Sequence, residues 1–261
     1  MGNRGLSIIL SVLNLAGFAG VVAVNYLANA LPINNKTTGQ LSDQYPNLFV
    51  PAGLTFAIWG LIYLLLAIFV VYSLIVAFKA GAKRSFINSI SIFFFLTCVA
   101  NVGWIFAWHY EILPLSMILM ILLLACLIAI YIRLSIGKSD ASTRQKYLVH
   151  LPFSVYLGWI TIATIANATA LLAASGWDML GPGGQFWTIA VISIGIAIAL
   201  MVVLRQRDIY FGLVIVWALI GILIKRLADP VPYQSIIVAV AAGLILVSLS
   251  ILIQIVRRKV Y

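Results

Sequence analysis

LPLSMILMILLLACLIAIYIRL, residues 113–134, runs for twenty residues before its one charged side chain, Arg133. At about 1.5 Å per residue, a helix of that length crosses roughly 30 Å of hydrocarbon. The same reading finds seven more such runs: Leu6 to Ala30, Gly53 to Phe78, Phe86 to Trp108, Tyr147 to Ala174, Phe186 to Leu204, Ile209 to Leu227 and Gln234 to Val256. Only Lys225 and Arg226, at the end of the seventh span in chain order, trouble the pattern. The whole chain has 261 residues, 64% hydrophobic and 8% charged, where a soluble domain carries about a quarter charged residues. The expected fold is all-α, a polytopic membrane bundle of about eight transmembrane helices.

The net charge of +10 reads as topology rather than as nucleic-acid affinity. Threading eight spans alternately puts Arg4, Lys79, Lys83, Arg84, Arg133, Lys138, Arg144, Lys146, Arg205, Arg207, Arg257, Arg258 and Lys259 on one side, thirteen of sixteen basic residues. By the positive-inside rule that side is cytoplasmic, with both termini there and the plasma membrane as the expected location. Attraction to anionic lipid is a secondary reading. Arg4 with Ala28-Asn29-Ala30 loosely imitates a signal peptide, but the apolar run exceeds a signal core of about 7–15 residues, so an uncleaved first helix is expected. Cys98 and Cys126 fall inside spans, where a thiol packs as a small apolar group.

Two segments on the opposite side interrupt the spans. Leu31 to Pro51, with Pro32, Asn34, Asn35, Gly39 and Pro46, is the longest polar stretch and the expected lid. Ser175 to Gln185 carries Gly176, Gly181, Pro182, Gly183 and Gly184, turn formers that predict a loop and a boundary between residues 1–175 and a three-helix extension, 176–261. Asn35-Lys36-Thr37 reads as a chance triplet rather than a used glycosylation site.

The chemistry of common enzymes is missing from the spans. Asp43, Glu111, Asp140, Asp178, Asp208 and Asp229 all map to loops or span ends, which argues against an ion-coupled pump. His109 and His150 sit near opposite ends and read as interfacial polar residues. No phosphate loop, zinc motif or acid–base pair is visible, so neither an enzyme nor a metal site is expected.

What the spans do hold is aromatic and amide. Tyr156, Trp159, Ala163 and Asn167 share one helix face, as do Asn101, Trp104 and Trp108; Thr55, Trp59 and Tyr63 form a third row. An Asn in hydrocarbon needs partners, so Asn101 and Asn167 should face the bundle interior, with the aromatics beside them. Such a lining suits an apolar small-molecule pocket. From spacing alone, plain packing and helix-to-helix hydrogen bonding is the stronger reading.

At these residues the chain resembles the tryptophan-rich sensory protein family, also called the translocator protein (TspO/MBR) family. Trp59-Gly-Leu-Ile-Tyr63, Asn101-Val-Gly-Trp104 and Tyr156-Leu-Gly-Trp159-Ile-Thr-Ile-Ala163-Thr-Ile-Ala-Asn167 stand in the order of that family's second, third and fifth helices. Three helices beyond the usual five mark a distant, extended relative. The resemblance implies a five-helix bundle over residues 1–175, closed by the first loop, that binds porphyrins, haem-like tetrapyrroles or sterol-like lipids, often as a homodimer. It places Trp59, Tyr63, Asn101, Trp104, Tyr156, Trp159, Ala163 and Asn167 at the cavity, with no cofactor required beyond haem or porphyrin as ligand. The expected partners are a hydrophobic small molecule and the bilayer, not nucleic acid. A ligand-binding sensor or regulator, a passive transporter of the same ligand and a tetrapyrrole-modifying enzyme are the functional classes to be separated. The small-residue pairs Ala16/Gly20, Gly195/Ala199 and Ala239/Gly243 permit close helix contacts in any of them.

Overall fold

The computed structural model describes residues 4–31, 33–177, 182–230 and 232–257. Pro32, Asp178, Gly181, Arg258 and Lys259, singled out above, lie outside the described residues. In chain order the helices are α1 (Arg4–Ala30), α2 (Thr38–Asp43), α3 (Ile58–Phe78), α4 (Ser85–Ile90), α5 (Phe93–His109), α6 (Leu113–Arg133), α7 (Thr143–Gln145), α8 (Leu151–Ala174), α9 (Pro182–Met201), α10 (Ile209–Leu227) and α11 (Gln234–Val256). A 3₁₀ turn, Gly53–Ala57, leads into α3, and π turns, Lys146–His150 and Val202–Gln206, precede α8 and extend α9. Among the described residues seven helical segments are long and apolar enough to cross a membrane, and Phe93–His109 is a shorter apolar helix of 17 residues. The chain is a polytopic helical bundle.

The buried residues of α1 explain how such a bundle holds together without a hydrophobic contrast to lipid. Ser7, Ser11, Asn14, Phe18, Val21, Asn25 and Ala28 recur at alternating steps of four and three, one stripe of a helix. Polar members of the stripe bond across helices: Ser7 Oγ donates to Asn88 Oδ1 (3.1 Å), and Ser11 meets Ser73 (3.0 Å). Polar faces turn inward because lipid offers them no partner. Close approach adds van der Waals contact. It falls at Gly17, where an added Cβ would crowd Cys98 and Phe95 of α5, whereas Gly20 faces open space.

Around this frame α1 packs on α3 and α5, α5 on α6, and α6 on α8. The remaining helices do not stand apart: α10 packs along α8, α11 along α10, and α9 along α11. Helix α8 is therefore central, and every residue from Pro152 to Ile162 is buried. Gly158 leaves room there for Val214 and for the carbonyl of Phe211. At Gly221 of α10 any Cβ would strike Thr55, and the Gly221 carbonyl accepts from the Ala52 amide at 2.9 Å.

Three local expectations are corrected. The third span is not one helix: Ser91, at φ 52 and ψ −137, breaks it into α4 and α5. Thr55 does not continue the Trp59/Tyr63 row, because residues 53–57 wind as a 3₁₀ turn and its side chain is buried against α10. Pro182, Gly183 and Gly184 belong to the first turn of α9 rather than to a loop; proline suits that position, since its missing N–H would have no intrahelical partner.

Side-chain contacts sort the helix ends. Arg4 donates to the Phe78 carbonyl (3.2 Å), and the Arg133 guanidinium lies over the Phe93 ring (5.2 Å). The start of α1, the end of α3, the start of α5 and the end of α6 thus share one end of the bundle. The first loop occupies the other.

Candidate functional site

Below the first loop, α3, α5 and α8 bring their aromatic residues into a single cluster. Trp59 is its hub, with Tyr63 stacked on it (centroids 5.5 Å), Trp104 tilted against it (6.4 Å), and Tyr156 and Trp159 edge-on (6.1 and 6.2 Å). Trp104 stacks in turn on Trp108 (5.9 Å), and Phe56, from the 3₁₀ turn, meets Trp159 edge-on (6.0 Å). Edge-to-face and offset pairs of this kind are the favoured aromatic geometries.

The amides tie the cluster together. Asn101 accepts from Asn25 Nδ2 (2.8 Å) and donates to the Tyr156 hydroxyl (3.5 Å). Asn167 accepts from Trp104 Nε1 (2.8 Å) and donates to Ser116 Oγ (3.0 Å). Trp159 is buried, and its Nε1, like the Tyr63 hydroxyl, finds no hydrogen-bond partner among the described residues.

Two openings meet here. A narrow cleft of about 40 Å³ is lined by Phe56, Trp59, Trp104, Trp108, Trp159, Ala163 and Asn167, with Thr38, Ser42 and Pro51 of the first loop above it. A groove of about 500 Å³ between α1 and α3 shares Thr38, Phe56, Trp59 and Trp104 with the cleft and adds Asn25, Asn29, Gly60 and Tyr63. The groove has the volume of a ligand site, whereas the cleft holds little more than a water. Of the residues expected from the sequence, Trp59, Tyr63, Trp104, Trp159, Ala163 and Asn167 line one opening or both. Asn101 and Tyr156 stand behind them as hydrogen-bonded support.

Asn25, Ser116 and the loop residues Thr38 and Ser42 were not singled out in the sequence. Asn25 was findable, as an amide inside the apolar run of α1, which must find a partner away from lipid. Nothing in the sequence pairs Thr38 or Ser42 with residues over sixty positions downstream.

The loop is fastened at several points. Thr37 and Gln40 form a capping box at the start of α2, which satisfies two otherwise orphaned amides. Trp108 Nε1 donates to the Thr38 carbonyl (3.3 Å), Asn34 Nδ2 to the His109 carbonyl (3.0 Å), and Lys36 pairs with Glu111 (2.8 Å). Tyr45 donates to the other oxygen of Glu111 (3.0 Å). These two hydrogen bonds, Lys36 first, hold the Glu111 carboxyl below its ordinary range, while burial and the carboxylate beside it push Tyr45 up to about 12. His109, expected at the interface, is fully buried beneath the loop, its Nδ1 bonded to the Ile105 carbonyl (2.8 Å).

At the opposite end Asp208 is buried too. It caps α10 through the amides of Tyr210 and Phe211 (3.1 and 3.2 Å) and accepts from Ser154 (2.7 Å) and Tyr131 (2.9 Å). Burial raises its pKa and these bonds oppose the rise, so its role is to join α6, α8 and α10.

The chain is thus a polytopic bundle with an aromatic, amide-anchored pocket beneath a fastened loop. The sequence matches the family model described as TSPO-like protein over residues 11–253, so the chain belongs to that family, as a distant member whose match runs through all the helices. No curated protein and no solved structure matches. Membership places it among membrane ligand-binding and transport proteins.

Proposed function

We propose that the protein is a sensor or regulator that binds a flat hydrophobic molecule, a porphyrin or other tetrapyrrole or a sterol-like lipid, between α3, α5 and α8, and performs no bond chemistry on it. The observation that carries the reading is Trp159: a buried indole with a free N–H, set edge-on to Trp59 in the wall of the cleft. A ligand with a ring face and an acceptor would satisfy both. Because the cleft is nearly closed, binding involves outward movement of Phe56 and the loop above it. No further cofactor is needed.

A passive transporter for the same ligand would gain support if the added helices shared the pocket. They do not: the residues lining cleft and groove all lie between 22 and 167. The basic end faces the cytoplasm in this reading, in the plasma membrane, because the charges gather there.

Absorption and fluorescence titration of the purified protein with protoporphyrin, haem and a sterol tests the proposal. Saturable quenching of tryptophan emission by at least one of them is expected. Non-saturable, detergent-like partitioning of all three would sink it.

A further inference from the structure

Beside the aromatic cleft, and sharing Ser42 with it, lies a chamber of a different character. It measures about 440 Å³ and lies between the first loop and the end of α10, with Asp43 and Tyr45 on one wall and Lys225, Arg226 and Asp229 on the other. The cleft is walled by rings; this chamber carries four charged side chains in its wall.

Those charges are unevenly matched. Lys225 Nζ reaches across to Asp43 Oδ1 (2.5 Å), but the Asp43 side chain is 62% exposed, so water competes for it and the pair is readily exchanged. Arg226 is the reverse case, its side chain only 5% exposed. Its Nη1 lies 3.0 Å from Asp229 Oδ2, an ion pair by distance, yet that oxygen accepts no hydrogen bond and Arg226 Nε donates none among the described residues. A buried guanidinium with an idle N–H is an incomplete arrangement, because burial strips the group of water without replacing it. Nε and the neighbouring amino group form a flat fork whose spacing fits the two oxygens of a carboxylate.

The geometry points to this chamber as a binding site for a carboxylate-bearing small molecule that enters from water. One oxygen accepts from Arg226 Nε, and the same carboxylate takes the place of Asp43 on Lys225. The four side chains sum to zero charge, so recognition rests on directed hydrogen bonds and on this exchange, not on a general attraction for anions. Releasing Asp43 also undoes the tie between α2 and α10, so occupancy loosens the loop that roofs the aromatic cleft.

Benzoate is a suitable probe, with benzamide as its uncharged counterpart, and the readout is thermal unfolding of the full chain in uncharged detergent at constant ionic strength. A saturable rise in Tm with benzoate, and none with benzamide or added chloride, is expected. Arg226→Gln combined with Asp229→Asn removes both charges of the pair together, so neither is stranded; it should abolish the shift, and Lys225→Gln, at the exposed rim, should weaken apparent affinity at least threefold. An equal response to benzamide or chloride, an unchanged benzoate response in both variants, or no response at all would overturn the proposal, the last leaving Arg226 Nε to water. A Tm rise with inorganic phosphate alone, or only in nanodiscs containing phosphatidylglycerol, would overturn it in favour of a phosphate or a lipid headgroup. Benzoate lodged in the aromatic cleft would raise Tm equally in the double variant, so the variants read the two sites apart.

Discussion

Trp159 and Asn167 look alike as sequence, two polar-tipped residues on one face of α8, but they carry different obligations. Asn167 is bonded on both sides, to Trp104 Nε1 and to Ser116. Asn167→Leu therefore strands the Trp104 indole N–H inside the bundle, while Ser116 keeps its bond to the Leu113 carbonyl (2.8 Å), and a loss of about 1–3 kcal/mol is expected in thermal or denaturant unfolding in detergent. Trp159 has no such bond to lose. Trp159→Phe keeps the ring contacts with Phe56 and Trp59 in reduced form and should cost less than about 1.5 kcal/mol of stability. Its effect belongs in binding: a weakened ring contact of about 0.5–1.5 kcal/mol lowers porphyrin affinity from a few-fold to roughly tenfold. Normal affinity with a clearly lowered Tm would make Trp159 a packing residue only. Spacing along one helix placed both side chains on the inner face. It could not separate them, because their difference lies in Ser116 and Trp104, which other helices supply.

Elements that regular periodicity describes were legible, and the ones that depart from it were not. The apolar runs of α6, α10 and α11 read directly as spans, since length and lack of charge decide them. The break at Ser91 has no proline or glycine to announce it: Ile90-Ser91-Ile92 reads as uninterrupted helix. A non-glycine residue at φ 52 and ψ −137 carries backbone strain of about 1–3 kcal/mol. Ser91→Gly should recover about 1 kcal/mol of that, net of the added freedom of the unfolded chain, and Ser91→Val should lower stability, both measured as shifts in the unfolding midpoint. If Ser91→Gly destabilises, the hinge is not strained at that residue. The first loop offers a second test. Glu111 is held below its ordinary value of 4.5 by Lys36 and Tyr45, so the folded state binds its proton less readily than the unfolded one. The fastening is therefore complete above the ordinary value and is lost as pH falls through the lowered one. Hydrogen exchange of residues 33–45 should stay flat through neutral pH, once intrinsic rates are divided out, and rise only on acidification below the ordinary value of 4.5. An increase already present near pH 6 would point to a different latch.

At the scale of the whole molecule, the five-helix frame and the three further helices meet through α8, and the contacts are partly polar. The Ala52 amide bonds the Gly221 carbonyl, Trp217 Nε1 donates to the Thr55 carbonyl (2.9 Å), and Asp208 holds Ser154 and Tyr131. The glycine-rich stretch before α9 marks a change of segment along the chain, but sequence alone could not show that the next segment folds back onto the fifth span. Ending the chain at Gly176 separates two consequences. The aromatic cleft and groove draw only on residues 22–167, so a chain that inserts should bind porphyrin within a few-fold of the full protein. Its stability should fall, because the Ala52 amide and two hydroxyls lose their acceptors, at about 1 kcal/mol for each hydrogen bond not remade. The apolar face of α8 that α10 covers adds little to this loss, since lipid tails replace it on nearly equal terms. Replacing Thr55 in the same truncated chain should then be nearly neutral, its contact with Gly221 already gone. A truncated chain that stays monodisperse and folded but takes up no porphyrin would mean that α9, α10 and α11 help form the site, and the transporter reading would then be the stronger one.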